Sequence, residues 1–151
     1  AMTVTTRPMD AADRSAWETL FAGYAAFYKV DQTPQMREPV FGWLMDPDHG
    51  SNCIVAQDAS GALVGFTHYR PFVSQLRAAT NCFLDDLFVS PQARGSGAAQ
   101  VLIKAVETVA KNNGWGTLRW ITAEDNYRGR GAYDKLATRT GWVTYDIALK
   151  G

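Results

Sequence analysis

The chain has 151 residues, of which 46% are hydrophobic and 20% charged, and this composition excludes a disordered protein and suits one globular domain. Fifteen lysines and arginines balance fifteen aspartates and glutamates, so the basic excess of a protein that binds mainly nucleic acid is absent. No apolar run approaches the roughly 18 residues of a membrane span, so we expect no membrane partner and a cytoplasmic location. The two cysteines stand in apolar runs and predict buried thiols, and the two histidines have no metal-ligand spacing.

Hydrophobic periodicity and turn residues predict ten elements. In chain order they are a strand over 3–7, a helix from 10 or 13 to about 28, a helix over 35–45, strands over 52–57, 63–72 and 82–89, a helix over 98–113, a strand over 118–122, a helix from 127 to about 140, and a last strand over 142–149. The order β-α-α-β-β-β-α-β-α-β places hairpins first and βαβ crossovers later. It predicts an α/β (α+β mixed) fold with one mixed sheet flanked by helices, in a single domain spanning 2–151.

A glycine-rich turn, Arg94-Gly95-Ser96-Gly97-Ala98-Ala99, joins the fourth predicted strand to the third helix. The N-terminus of a helix has unpaired N–H groups that bind phosphate oxygens, and glycines let the backbone approach them closely. The turn lacks the Gly-Lys-Ser/Thr of a Walker loop, and Gln100 stands where a dinucleotide fingerprint has a third small residue. Taken alone, the turn fits an anion site or a plain strand-to-helix connection equally well.

Two further motifs accompany this turn. Trp120-Ile121-Thr122-Ala123-Glu124-Asp125-Asn126 is followed seven residues later by Tyr133, and Phe83-Leu84-Asp85-Asp86-Leu87-Phe88-Val89 precedes the turn. With Arg94, Gly97 and Ala99, which match Arg/Gln-x-x-Gly-x-Gly/Ala, the pattern resembles the GNAT superfamily of N-acetyltransferases, closest to the polyamine and thialysine acetyltransferase branch. The resemblance covers about 82–145. It departs at Gly129, where the family usually has alanine or serine, and we expect Gly129 and Gly131 to reflect close packing.

The resemblance implies an acetyl-CoA-dependent N-acetyltransferase of the GNAT fold, in which an amine attacks the thioester directly. The implied cofactor-binding residues are the backbone of Leu87, Phe88 and Val89 for the pantetheine arm and carbonyl; Arg94, Gly95, Ser96, Gly97, Ala98, Ala99 and Gln100 for the pyrophosphate; and Asn126, Tyr127, Arg128 and Gly129 for the other side of the arm.

Two residues match the catalytic positions of the family. Tyr133 corresponds to the tyrosine that protonates the leaving thiolate, and a phenol has suitable basicity for that step. Asp85 corresponds to an acidic residue proposed as the base, acting through water. The alternatives stay open at this point: Tyr133 also fits a core position of its helix, and Asp85 or Asp86 also fits a capped or salt-bridged structural aspartate.

A pocket for a small cationic amine is the most specific expectation. Its substrate-binding residues would be aromatic and acidic, namely Tyr24, Tyr28, Asp86, Trp120 and Glu124. The helix stripe that carries the two tyrosines also fits a packed core, and His68 could face the cleft or the core. Two other functions remain open, acetylation of a protein lysine or N-terminus and a non-catalytic acyl-CoA-binding module. The family resemblance also leads us to expect a homodimer.

Overall fold

The computed structural model of the protein describes residues 3–150, so positions 2 and 151 of the expected domain lie outside the described residues. Five strands form one mixed sheet in the order β1-β2-β3-β4-β5. They are β1 (Thr5–Pro8), β2 (Asn52–Gln57), β3 (Leu63–Ser74), β4 (Ala79–Val89) and β5 (Leu118–Arg119). The first four are antiparallel neighbours and β5 runs parallel to β4. The predicted mixed sheet flanked by helices is confirmed.

Four α-helices accompany the sheet, α1 (Arg14–Phe27), α2 (Pro34–Met45), α3 (Ala98–Asn112) and α4 (Tyr127–Leu136). Their starts follow the capping residues of the sequence. The Asp10 side chain accepts the Ala12 N–H in the short 3₁₀ turn before α1, and the Thr33 hydroxyl accepts the Met36 N–H at the start of α2. No helix of the described chain is both long and apolar enough to cross a membrane.

The sheet is packed on both faces because its strands alternate their side chains. On one face, α1 buries Trp17 and Phe21 in a cluster with Val55 and Phe66. On the other face lies α3, where Leu102 is so close to β3 that a Cβ added at Gly65 would meet its Cδ1 at 3.3 Å. Even-numbered residues of β3 around 66–70 therefore face the α1 side of the sheet.

An ion pair fixes β1 against the start of α1. The guanidinium of Arg7 donates to both carboxylate oxygens of Asp13, at 2.7 and 2.8 Å, and the N–H of Asp10 donates to the same carboxylate at 2.9 Å. The hydrogen bonds from Arg7 hold the pKa of Asp13 below its ordinary value against the opposing effect of burial.

The chain divides into two compact units, the first ending at Trp120 and the second beginning at Ile121. The first contains the sheet and α1 to α3, and the second contains α4. The expected single domain therefore stays a prediction.

Two predicted boundaries in the last third of the chain are wrong. The fifth strand ends at Arg119 instead of 122, because the neighbouring β4 bulges two residues beyond its last contact with β5 and a bulge bends its strand. Helix α4 ends at Leu136 instead of about 140, since Ala137 is extended and Thr138 and Thr140 are weak helix formers.

The prediction of a last strand over 142–149 is wrong, because no strand forms there in the described residues. Its apolar side chains are almost fully exposed, with Trp142 at 85%, Ile147 at 85% and Leu149 at 88%. Alternation gives a segment only the local preference for an extended backbone, whereas a strand also needs hydrogen bonds to a neighbouring strand. A pattern read along one segment does not reveal whether that neighbour is present.

Candidate active site

A bulge in β4 brings two carboxylates to one face of the sheet. His68 pairs with Asp86 and Tyr69 pairs with Leu84, so Asp85 is an extra residue on β4. In a regular strand, consecutive side chains point to opposite faces. Here Asp85 contacts Arg70 and Asp86 contacts His68, and these two partners lie two residues apart on β3 and share a face. The bulge therefore collects both carboxylates on the α1 side of the sheet.

Asp85 forms an ion pair that leaves it partly accessible. Nε of Arg70 is 3.1 Å from each carboxylate oxygen, the side chain of Asp85 is 34% exposed, and the guanidinium of Arg70 stacks over the ring of Phe83. Burial raises the pKa of Asp85 above its ordinary value; Arg70 opposes this rise, and the neighbouring charge of Asp86 adds to it. A carboxylate with a raised pKa is a stronger proton acceptor than an ordinary aspartate.

Asp86 has a different set of partners. Its Oδ2 lies 2.8 Å from Nδ1 of His68, and its backbone carbonyl accepts a 2.8 Å hydrogen bond from the Thr67 hydroxyl. The imidazole of His68 is buried and reaches Trp17 of α1 on its other side. The Asp86 side chain remains 26% exposed.

The edge of β4 beyond its contact with β5 could hydrogen-bond a ligand that carries amide groups. Pairing with β5 involves only Cys82 and Phe83 of β4 in the described chain. The backbone from Leu84 to Val89 therefore has no strand partner on that side among the described residues, while its other side pairs with β3. The sequence-predicted residues Leu87, Phe88 and Val89 lie on this edge.

The glycine-rich turn forms an open helix N-terminus. Gly95 and Gly97 have φ values of 82° and 84°, in the left-handed region that favours glycine. A Cβ added at either position would meet no described atom within 4 Å. Gly97 caps α3 without a side-chain hydrogen bond of its own, the Ser96 hydroxyl accepts the Ala98 N–H at 3.3 Å, and the first turn of α3 has no acidic residue. These features fit the pyrophosphate of a nucleotide cofactor.

An aromatic row leads from α1 towards this turn. The rings of Tyr24 and Tyr28 are 5.0 Å apart, Phe27 and Tyr28 are 5.1 Å apart, and the guanidinium of Arg94 lies 5.9 Å from the centre of the Phe27 ring. Tyr24 also contacts Phe88 of β4 at 6.2 Å. The apolar stripe predicted on this helix therefore has two parts. Its N-terminal half is buried in the core, while Phe27 and Tyr28 are exposed.

The predicted site residues between 124 and 133 lie in the second unit. The Asn126 side chain caps α4, since its Oδ1 accepts the Gly129 N–H at 3.3 Å and its Nδ2 donates to the Thr122 hydroxyl at 2.8 Å. A Cβ at Gly129 would lie 2.4 Å from this Nδ2, so any other residue there would displace the capping side chain of Asn126. The expected close packing is thus explained at Gly129, whereas a Cβ at Gly131 would meet no described atom within 4 Å.

The remaining predicted residues of this region differ in exposure. Tyr133 is half-buried on α4, while Glu124, Tyr127 and Arg128 are exposed. The backbone carbonyl of Glu124 accepts a hydrogen bond from Arg130. Trp120 directly follows β5, at the end of the first unit.

Comparison with known proteins identifies the family. The model of the Acetyltransferase (GNAT) family matches residues 17–137, which is most of the chain. The chain belongs to the GNAT acetyltransferase family. It is an acetyl-CoA-dependent N-acetyltransferase, as the sequence motifs predict.

Individual relatives agree with this assignment. A D-amino-acid N-acetyltransferase of Saccharomyces cerevisiae is 27% identical over 94% of this chain and 89% of its own length. A thialysine N-epsilon-acetyltransferase of Mus musculus is 32% identical over 62% of both chains. Among solved structures, an aminoglycoside N-acetyltransferase in complex with CoA has a TM-score of 0.84, with 19% identity over 99% of this chain and 97% of that chain. This last likeness shows the GNAT fold.

The cysteines of this GNAT chain are free and buried, as predicted. Burial raises the pKa of the Cys53 thiol and raises that of Cys82 to about 11. A cysteine nucleophile needs its thiolate near neutral pH, so neither residue suits an acyl-enzyme route. No group of three or more His, Cys, Asp or Glu side chains that could hold a metal ion occurs in the part of the GNAT chain that the structure describes.

Sequence reasoning did not find the partners of the two carboxylates in this GNAT site. The sequence motifs do not include Arg70, and they do not decide between the two possible orientations of His68. One signal was available, because His68 and Arg70 are two residues apart in a predicted strand and two adjacent aspartates occur in the next one. The contribution of Trp17 had no sequence signal, since an indole in a helix stripe predicts core packing.

Proposed function

We propose that the protein transfers the acetyl group of acetyl-CoA to a small cationic primary amine by direct attack in a ternary complex. The observation that carries this proposal is the pair of carboxylates on one face of the β4 bulge. Asp85 forms an ion pair with Arg70, and Asp86 is hydrogen-bonded to the imidazole of His68. Two carboxylates beside one guanidinium give a locally negative face, which attracts an ammonium group.

The residues of the chain fit the donor. When bound, acetyl-CoA supplies an acetyl group activated as a thioester. The N–H groups at the start of α3 bind its pyrophosphate in the turn 94–100, and the free edge of β4 at 87–89 holds the amide-containing arm. The family resemblance adds Asn126, Tyr127, Arg128 and Gly129 as proposed contacts of the arm. The open left-handed turn at Gly95 and Gly97 supports the first of these assignments.

Asp85 and Tyr133 move the protons in the proposed reaction. The ammonium of the acceptor loses a proton to Asp85 through water, and the raised pKa of Asp85 supports this role. The N–C bond would form as the C–S bond breaks, and the Tyr133 hydroxyl would give its proton to the leaving sulfur. The attacking nitrogen would lose its second proton to water, and Tyr133 would regain a proton from water. The raised pKa values of both cysteine thiols support direct attack over an acyl-cysteine route.

The acceptor would be held by acidic and aromatic side chains. Asp86 and Glu124 supply negative charge, and Tyr24, Tyr28 and Trp120 supply ring faces for cation–π contact. The relatives named for D-amino acids and thialysine support acceptors that carry an amine on an amino-acid frame. We propose lysine-like amino acids on this ground, and polyamines because their ammonium groups suit the same negative face.

A homodimer in the cytoplasm completes the proposed function. The segment 142–149 carries exposed Trp142, Val143, Tyr145, Ile147 and Leu149. Contiguous exposed apolar residues are typical of protein interfaces. Light scattering during size-exclusion chromatography would measure the mass of the protein in solution. A mass equal to that of a single chain would contradict the dimer.

A panel of acceptors tests the proposed chemistry. The purified protein is mixed with acetyl-CoA and one acceptor, and release of free thiol is followed. The panel contains spermidine, lysine, thialysine, a set of D-amino acids, a lysine peptide and a folded protein. We expect turnover with at least one free amine and little with the peptide or the protein. Efficient acetylation of the protein or peptide, with every free amine ignored, would reject a small-molecule acceptor.

A further inference from the structure

A buried histidine connects the helix layer to the exposed carboxylate of the bulge. His68 is 6% exposed and Trp17 is fully buried. Nε1 of Trp17 lies 3.0 Å from Nε2 of His68, and Nδ1 of His68 lies 2.8 Å from Oδ2 of Asp86. The rings of Phe21 and Phe66 lie within 5 Å of the imidazole centre and exclude solvent around it.

The two hydrogen bonds fix the tautomer of this imidazole. An indole N–H donates and cannot accept, so Nε2 of His68 is the acceptor and carries no proton. A neutral imidazole then carries its proton on Nδ1, which donates it to Asp86. A second proton on Nε2 would make that nitrogen a donor facing the N–H donor of Trp17. The arrangement therefore matches a neutral His68. Asp86 consequently receives a hydrogen bond from a neutral donor.

We propose that Trp17 and His68 are positioning residues that hold the Asp86 carboxylate in one orientation towards the acceptor ammonium. This inference rests on the proposed function. Asp85 already has a cationic partner in Arg70, whereas the side-chain contact of Asp86 is with a neutral donor. Of the two carboxylates, Asp86 thus retains more attraction for a cationic ligand.

The position of Asp86 explains why such support is needed. The register of β4 shifts beside it, and the ladder that normally fixes a strand residue is interrupted there. Thr67 holds its backbone carbonyl and His68 holds its side chain, so two neighbouring residues of β3 restrain the same residue of β4. The indole of Trp17 in turn holds His68, and it extends the restraint into the core.

Nuclear magnetic resonance tests the hydrogen-bond relay, the chain from Trp17 through His68 to Asp86, without reference to activity. Imidazole ¹⁵N shifts of the full-length protein distinguish a protonated Nδ1 from a protonated Nε2. We expect His68 to be protonated at Nδ1 only, and Trp17→Phe to weaken this preference, because without the indole N–H only the acceptor Asp86 favours a proton on Nδ1. Exposed His49, whose ring stacks on Trp43, serves as the internal reference. A wild-type His68 protonated at Nε2 would overturn the proposal.

Steady-state kinetics test the positioning role with the best amine of the panel. His68→Leu removes the donor, and we expect kcat/KM for the amine to fall about ten- to a hundredfold, mainly through KM, as for loss of a hydrogen bond to a charged group. The KM for acetyl-CoA should not change. His68→Asn keeps an amide N–H near the place of Nδ1 and should restore most of the loss, and His49→Asn controls for the substitution itself.

The outcomes separate this proposal from the proposed function. Unchanged amine kinetics in Trp17→Phe and His68→Leu would reject the positioning role, as would equal losses in the Leu and Asn variants. If His68→Leu does not fold, Trp17→Phe, which keeps an aromatic ring in the core, decides by a raised or an unchanged KM for the amine. If the wild-type protein acetylates no amine, the proposed function and the positioning role both fail, although the relay itself can still be seen in the His68 spectrum.

Discussion

Asp85 and Asp86 are consecutive residues of β4, yet their carboxylates lie on the same face of the sheet. The bulge that causes this also gives them different surroundings, a guanidinium beside Asp85 and an imidazole beside Asp86. Paired carboxylates in different environments can take different chemical roles. We assign proton transfer to Asp85, whose pKa is raised, and binding of the ammonium to Asp86.

A substitution in the glycine-rich turn tests the cofactor site. Gly97→Glu places a charged side chain at the N-terminus of α3, where the pyrophosphate is expected, on a backbone with φ of 84°. We expect calorimetry to show micromolar binding of acetyl-CoA to the wild type and none to the variant. Gly114→Glu is the matched control, because Gly114 also has a positive φ and open space but follows the other end of α3. Unchanged affinity in Gly97→Glu would remove this turn from the site.

Loss of the Tyr133 hydroxyl tests the proposed general acid. Tyr133→Phe keeps the ring and should lower kcat by about ten- to a thousandfold, the range expected when an acid is removed, with little change in acetyl-CoA affinity. Tyr145→Phe is the control, since Tyr145 is exposed in the same unit. Wild-type turnover in Tyr133→Phe would return this tyrosine to a packing role.

The pH dependence of turnover tests Asp85. We expect kcat/KM to rise from about pH 7 towards 9, as the acceptor amine or its base loses a proton. Asp85→Asn removes the base and should lower kcat about a hundredfold and flatten the rise. Arg70→Gln should shift the acidic limb to higher pH, because Arg70 lowers the pKa of Asp85. A steep rise that survives in Asp85→Asn would assign the base elsewhere.

Glu124 is expected to act on binding alone. Glu124→Gln removes one negative charge that attracts the acceptor, so it should mainly raise the KM for the amine and leave kcat nearly unchanged. The exposed Asp125 next to it provides the control, as Asp125→Asn makes the same change of charge one residue away. Equal effects of the two variants would indicate a general field instead of a specific contact.

The sequence predicts best where the structural signal is local. Strand β2 occurs over 52–57 as predicted, because polar and turn residues bound its apolar run, and α3 begins at Ala98 directly after its glycine cap. The shared face of Asp85 and Asp86 is not local, since a bulge is defined by the register with β3. The exposed segment 142–149 has the strand pattern without the strand, because pairing depends on a neighbour.

The Arg7–Asp13 pair predicts how stability depends on pH. The folded-state pKa of Asp13 is lowered, so its carboxylate stabilises the fold above the unfolded value of about 4, and this contribution is lost as the pH falls through the folded value. Asp13→Asn should lower the free energy of unfolding by about 2 kcal/mol at pH 7, the scale of hydrogen bonds to a charged group. It should also weaken the loss of stability below about pH 5. Urea unfolding at pH 7 and pH 4 measures both effects.

Asp10→Asn is the matched control, because asparagine caps as well as aspartate does. An equal pH slope in wild type and Asp13→Asn would mean that the ion pair contributes nothing to acid sensitivity.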